Sequence, residues 1–120
     1  MGGFWRGFYF AWQGIIHVFR YERNARVHLL FAILAFALGL FLRISDVELA
    51  AIFFAVIIVF LAEIFNTAIE KTLDLIDNKP NHQIMIIKDM AAGAVLVAAV
   101  AAIMMGVVIF GPYVVRLWPM

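Results

Sequence analysis

The sequence predicts an all-α integral membrane protein: three transmembrane helices preceded by an N-terminal amphipathic helix lying in the membrane interface. Three observations lead there. Hydrophobic residues make up 67% of the chain and charged residues only 14%, where a soluble globular chain carries about 25% charged residues. Three apolar stretches each approach the roughly 20 residues that a helical span needs. No charged residue stands between positions 90 and 115. With 120 residues in all, the chain has room for one domain, 1–120.

The first element is expected over residues 1–24. Arg6, Gln13, His17 and Arg20 cluster on one helical face, while Phe4, Trp5, Phe8, Phe10, Trp12 and Phe19 cover much of the rest. That pattern suits a helix in the interface with its rings at headgroup depth. A signal peptide fits less well, because Gln13 and His17 interrupt the apolar region and FRYER (19–23) offers no small-residue cleavage site.

The first span is placed at 25–44 and the second at 47–69. Only Arg43-Ile44-Ser45-Asp46 turns the chain between them, so they form a tight antiparallel pair. Ser45 or Asp46 can cap the second helix. DNKPNHQ (77–83) collects turn formers and Pro80, which ends that helix. Lys88-Asp89 is expected to open the third span, 90–110. Within it Ala94, Ala98, Ala102 and Gly106 recur every four residues, a ridge of small side chains that lets helices approach closely. Arg6, Arg20, Arg23, Arg26, Lys71, Lys79 and Lys88 would share one membrane side, against Arg43 and Arg116 on the other. By the positive-inside tendency the N-terminus is cytoplasmic and the C-terminus outside.

Several functions are excluded. A net charge of +1 gives no basic stripe for nucleic acid. The absence of Cys removes disulfides and thiolate metal sites. His17, His28 and His82 lack metal-ligand spacing and read as polar or interfacial residues. There is no GxxxxGK[ST] loop and no HRD or DFG set, so any phosphoryl transfer uses neither common ATP scaffold.

The chemistry concentrates in AEIFNTAIEKTLD (62–74). Glu63 interrupts an apolar run, where a carboxylate costs about 2.5–3.5 kcal/mol on insertion scales. At roughly 100° per residue, Glu63, Asn66, Glu70, Asp74 and Asp77 fall on one helical stripe. Carboxylates gathered towards a helix C-terminus oppose its dipole, so a cation is expected there, and a divalent metal carrying phosphates is the economical choice. Glu63 suits a general base acting on a lipid hydroxyl; a buried structural carboxyl is the plainer alternative. Asn66 can orient Glu63 or the substrate, or simply join helices. Glu22 and Glu70 can together supply the one or two carboxylates with which Mg²⁺–nucleotide complexes are held, whereas Asp74 and Asp77 read as a solvated face. Lys88 can bind nucleotide phosphates beside the free N–H groups of a helix start or anchor the interface, and Asp89 can serve the helix dipole alone.

AEIFNTAIEKTLD, followed by KDMAAGAVL (88–96), closely resembles the prokaryotic diacylglycerol kinase family of integral membrane lipid kinases. The likeness runs from FAWQG (10–14) to the third span. YERNARVH (21–28) resembles the Gram-positive branch, typically undecaprenol kinases; Gram-negative members generally lack the Asn and His standing here as Asn24 and His28. The resemblance implies Glu63 as catalytic base and Glu22 and Glu70 holding Mg²⁺ with ATP. It implies nucleotide contacts at Glu22, Glu70, Lys88, Asp89, Phe10, Lys79 and Asn81; Asn66 and Glu63, one turn apart, are expected to position the substrate. It also implies a homotrimer with active sites shared between neighbouring subunits at the cytoplasmic face of a bacterial plasma membrane. Where relatives usually carry an acidic-Tyr-His triplet, this chain has Lys79-Pro80-Asn81, and Ile87 replaces the common Ala before Lys-Asp.

The expected activity is transfer of the γ-phosphoryl of Mg-ATP to the hydroxyl of undecaprenol, giving undecaprenyl phosphate. The alternative acceptor is diacylglycerol. A rival of another class is a small oligomeric channel or proton-coupled transporter with Glu63 as its ion site. The third span carries no polar pathway, which counts against it.

Overall fold

The computed structural model describes residues 2–118, which form four helices: α1 (Gly2–Tyr21), α2 (Arg23–Leu42), α3 (Asp46–Ile76) and α4 (His82–Leu117). No strand occurs among them. Apolar solvent dictates this outcome, since a lipid-immersed backbone must satisfy its N–H and C=O groups within its own helix. Three of the helices, α2, α3 and α4, are long and apolar enough to cross a membrane.

The junctions are specified locally. α1 stops at Glu22, whose extended backbone (φ −103, ψ 116) re-aims the chain into α2. Arg26 Nη1 donates to the Arg20 carbonyl at 2.7 Å, a cation on the exposed end of α1 where the dipole favours one. α2 closes in a Schellman turn: Ile44 N–H reaches Gly39 O at 3.1 Å and Arg43 N–H reaches Leu40 O at 3.3 Å. Arg43 takes the left-handed conformation (φ 56) this turn requires. Gly39 lets Ile44 pack close, since a Cβ there would stand 2.9 Å from Ile44 Cδ1 and push that side chain aside. α3 then starts in a reciprocal capping box, with Ser45 Oγ accepting from Glu48 N–H at 3.2 Å and Glu48 Oε1 accepting from Ser45 N–H at 3.0 Å. Of the two capping candidates, Ser45 is the one used.

α3 and α4 run well past their apolar segments. The 31 residues of α3 extend about 46 Å, against a hydrocarbon core of about 30 Å. α4 begins at Asn81, whose Oδ1 accepts from Gln83 N–H at 2.9 Å and Ile84 N–H at 3.3 Å. Lys88-Asp89 therefore lies inside α4 and does not open it. The dipole explanation of Asp89, and the free N–H groups expected beside Lys88, fall away with that. Hydropathy marks where residues turn apolar, whereas the cap marks where the helix begins.

Packing is sparse and built on small residues. α4 lies mainly along α3, and α2 packs chiefly on α3 as well, in a body 58 × 44 × 20 Å. Ala25, Ala32, Ile52, Val59, Ala91, Ala98 and Ile109 are buried between helices. Of the predicted small-residue ridge, Ala98 is buried, Ala102 and Gly106 are half-buried and Ala94 is exposed. Tyr113 Oη donates to Glu48 Oε1 at 2.5 Å, tying the end of α4 to the start of α3. α1 has only Val18 buried, with Phe19 packed edge-on against Phe60 of α3 at 5.2 Å between ring centroids. Its polar Arg6, Gln13, His17 and Arg20 are exposed, and so are Phe4, Trp5, Phe8, Phe10 and Trp12. The chain's own packing thus does not sort α1 into a wet and an apolar face, because nothing covers its first four turns.

Ala98 sits where α4 meets α3, so Ala98→Leu is expected to cost about 1–3 kcal/mol through overpacking. Thermal unfolding in mild detergent reads this loss; an unchanged midpoint would place Ala98 outside the contact.

Candidate active site

The site grows from one residue that the apolar pattern cannot absorb. Glu63 is 3% exposed, in mid-α3, and an unpaired carboxylate there would be costly. Its partner comes from α2: His28 Nε2 lies 3.3 Å from Glu63 Oε1. Residue by residue, the sequence marks His28 only as polar or interfacial; the likeness of YERNARVH to one branch is the signal that singles it out.

One turn along α3, Asn66 is 9% exposed, and its Nδ2 donates to Glu70 Oε1 at 3.4 Å. Asn66 Oδ1 is buried with no hydrogen-bond partner among the described residues. A buried acceptor left open is costly, and its natural complement is a donor brought by something bound. Thr67 is buried beside it. Glu70 is half-buried. Glu22, at the α1–α2 junction, is also half-buried, and its side chain makes no capping bond among the described residues. Glu22 and Glu70 both lie within coulombic reach of Glu63.

The structure therefore brings Glu63, Asn66, Glu70 and Glu22 together and adds His28. Among the described residues no three His, Cys, Asp or Glu side chains converge tightly enough to cage a metal. Glu22, and Glu70 through the oxygen that Asn66 leaves unused, are carboxylates of the kind that hold Mg²⁺ beside phosphate and water ligands.

Other expected contacts stand apart. Phe10 is 65% exposed on α1. Lys79 is exposed, its N–H donating to Asp77 Oδ1 at 2.9 Å. Asn81 spends its side-chain oxygen on the α4 cap. Asp89 is exposed. Lys88, ahead of the apolar run of α4, donates to Asp74 Oδ1 at 2.7 Å. That hydrogen bond, with the Asp74 and Glu70 charges, lifts the Lys88 ammonium above the ordinary lysine range. Asp74, read from sequence as a solvated face, thus bridges α3 to α4.

An apolar groove of about 460 Å³ opens between α2, α3 and α4, lined by small residues such as Ala32, Ala35, Ala55, Ala102 and Gly106. His28 lines it as well. One imidazole thus touches both the groove and the buried carboxylate.

Residues 9–110 match the family described as Prokaryotic diacylglycerol kinase. Over 109 residues the chain is 38% identical to an undecaprenol kinase of Bacillus subtilis, covering 91% of this chain and 89% of that protein. Over 100 residues it is 34% identical to a diacylglycerol kinase of Synechocystis, covering 82% of this chain and 57% of that protein. The chain thus spans somewhat over half the length of the cyanobacterial relative.

Because the Lys88–Asp74 pair raises the folded-state pKa of Lys88, its contribution to stability is complete at neutral pH. It is lost only as pH rises through the folded-state value. Asp74→Asn is expected to bring the Lys88 titration down, as followed by the ¹⁵N resonance of its Nζ; an unmoved midpoint would mean that the pair does not persist in solution.

Proposed function

Because the chain belongs to the prokaryotic diacylglycerol kinase family, a family of lipid kinases, we propose that it transfers the γ-phosphoryl group of ATP to the terminal hydroxyl of undecaprenol. The observation that carries this reading is an apolar groove whose wall includes His28, the residue in contact with the buried carboxylate of Glu63. A long hydrocarbon alcohol needs such a groove, and its hydroxyl needs a base where the groove ends.

In the proposed reaction the lipid O–H bond breaks as the oxygen attacks the γ-phosphorus, and the proton passes to Glu63. The bond from the γ-phosphorus to the β–γ bridging oxygen breaks, and ADP leaves with that oxygen. Phosphoryl transfer is chiefly positioning and charge stabilisation. Glu22 and Glu70 would hold Mg²⁺, which neutralises phosphate charge when bound with the nucleotide. The open Asn66 Oδ1 would accept a hydrogen bond from the bound substrate, and Lys88 would add positive charge at the phosphates. Asp89, Phe10, Lys79 and Asn81 complete the expected nucleotide environment.

The same reading puts the site on the cytoplasmic side of a bacterial plasma membrane, with the N-terminus inside and the C-terminus outside. It takes the working unit as a homotrimer with active sites shared between neighbours. The exposed large side chains along all four helices, from Phe31 and Phe54 to Val97 and Val108, support coverage by lipid and by other copies. A second acceptor, diacylglycerol, is favoured by the named activity of the Synechocystis relative.

Three measurements test the proposal. Glu63→Gln is expected to keep fold and nucleotide binding while losing about 10²–10⁴-fold in turnover, read as labelled lipid from [γ-³²P]ATP; near-normal labelling removes Glu63 from the chemistry. Glu22→Gln or Glu70→Gln should raise the Mg-ATP requirement more than the lipid requirement, with Asp77→Asn as the insensitive control. Equal effects at all three positions would reduce the site to general negative charge. With both lipids at equal mole fraction in the same micelles, kcat/KM should be higher for undecaprenol, since the groove is lined with few polar groups to receive the two ester carbonyls of diacylglycerol. A preference for diacylglycerol would reassign the acceptor and leave the kinase chemistry standing.

A further inference from the structure

We propose that His28 is a positioning residue for Glu63, clamping one carboxylate oxygen so that the other faces the alcohol arriving from the apolar groove. The inference rests on Glu63 being the base. It goes beyond that reading by assigning a function to a residue of α2, 35 positions away, that makes no use of the carboxylate stripe.

The geometry is specific. A carboxylate on a helix has two equivalent oxygens and a freely turning χ3, so burial alone leaves it aimed nowhere. With His28 Nε2 at 3.3 Å from Oε1, rotation is stopped by a contact from a second, rigid helix. The 3.3 Å contact puts a ring nitrogen against that oxygen, and that nitrogen carries an N–H both in an imidazolium and in a neutral imidazole protonated on Nε2. The remaining oxygen is left to take the hydroxyl proton. His28 is half-buried while Glu63 is almost wholly buried, so the imidazole is the member nearer the groove, and its ring forms part of the groove wall. The α2–α3 turn fixes this meeting, because the Schellman motif and the capping box set the register of the two helices.

The test uses two substitutions of nearly equal length. The His28→Gln amide nitrogen can donate to Glu63 from about the same reach; the His28→Met side chain fills the space and donates nothing. Both are purified in mild detergent beside Glu63→Gln and the double variant His28→Met/Glu63→Gln. Turnover, KM for Mg-ATP and thermal midpoint are measured for each. His28→Met is expected to lower kcat about 10–100-fold, the scale of a misplaced reacting group, with KM for Mg-ATP and the thermal midpoint unchanged. His28→Gln is expected to recover most of the turnover. In the Glu63→Gln background, His28→Met should cost nothing further, as befits residues acting as a unit. Wild-type turnover in His28→Met overturns the clamp while Glu63 stands. A folded His28→Gln as slow as His28→Met overturns it too, and so does a loss that adds fully to that of Glu63→Gln. If His28→Met does not fold, His28→Asn, whose amide is too short to reach Glu63, is compared with His28→Gln under the same criteria. Full activity in Glu63→Gln itself would bring down the base assignment separately.

Discussion

A buried carboxylate in an apolar helix has to be answered by a donor, and the contact between Glu63 and His28 is that answer. The other features of the site follow from it. It requires α2 and α3 to lie side by side in one register, which the three-residue turn between them, Arg43 to Ser45, supplies. It requires small residues at the crossing, and Ala25, Ala32 and Val59 provide them. Below Glu63 the same face of α3 carries Asn66 and Glu70 out of the apolar layer, so a single helix leads from a dry base to a wet, anionic surface. A long lipid and a highly charged nucleotide can meet only across such a gradient.

What the sequence disclosed divides along a physical line. The stripe of Glu63, Asn66 and Glu70 was legible because a helical period places residues of one helix relative to each other without reference to anything else. A cap at Ser45 or Asp46 and a break after α3 within residues 77–83 were legible for the same reason: they depend on neighbours in the chain. The contact of His28 with Glu63 and the bond of Lys88 with Asp74 depend on how far one helix slides against another, and no local pattern encodes that. Apolarity alone puts the start of α4 at Lys88, whereas the Asn81 side chain starts it seven residues earlier, in a segment that is still partly polar. The Ala94 position on the small-residue ridge shows the same limit, since spacing defines a ridge while the neighbouring helix decides which part of it is used.

The interior is thin. Most large apolar side chains point away from the chain's own core, and the buried set is dominated by alanine and β-branched residues. In water such a body would be held by little. In a bilayer the loss is smaller, because lipid tails are as apolar as leucine and helix association relies on close backbone approach and a few polar contacts. That explains why the polar links between helices stand where they do, at Glu48–Tyr113, His28–Glu63 and Asp74–Lys88, spaced along α3 with alanine-rich contact between them.

The bond from Tyr113 to Glu48 pins α3 and α4 together at one end, and this makes the pair a long lever. From Glu48 to Asp74 the α3 axis runs about 39 Å at the usual helical rise. At the other end the Lys88–Asp74 bond is a single contact between partly exposed groups, so the lever is fastened at both tips and any relative tilt of the two helices would fall on those two bonds.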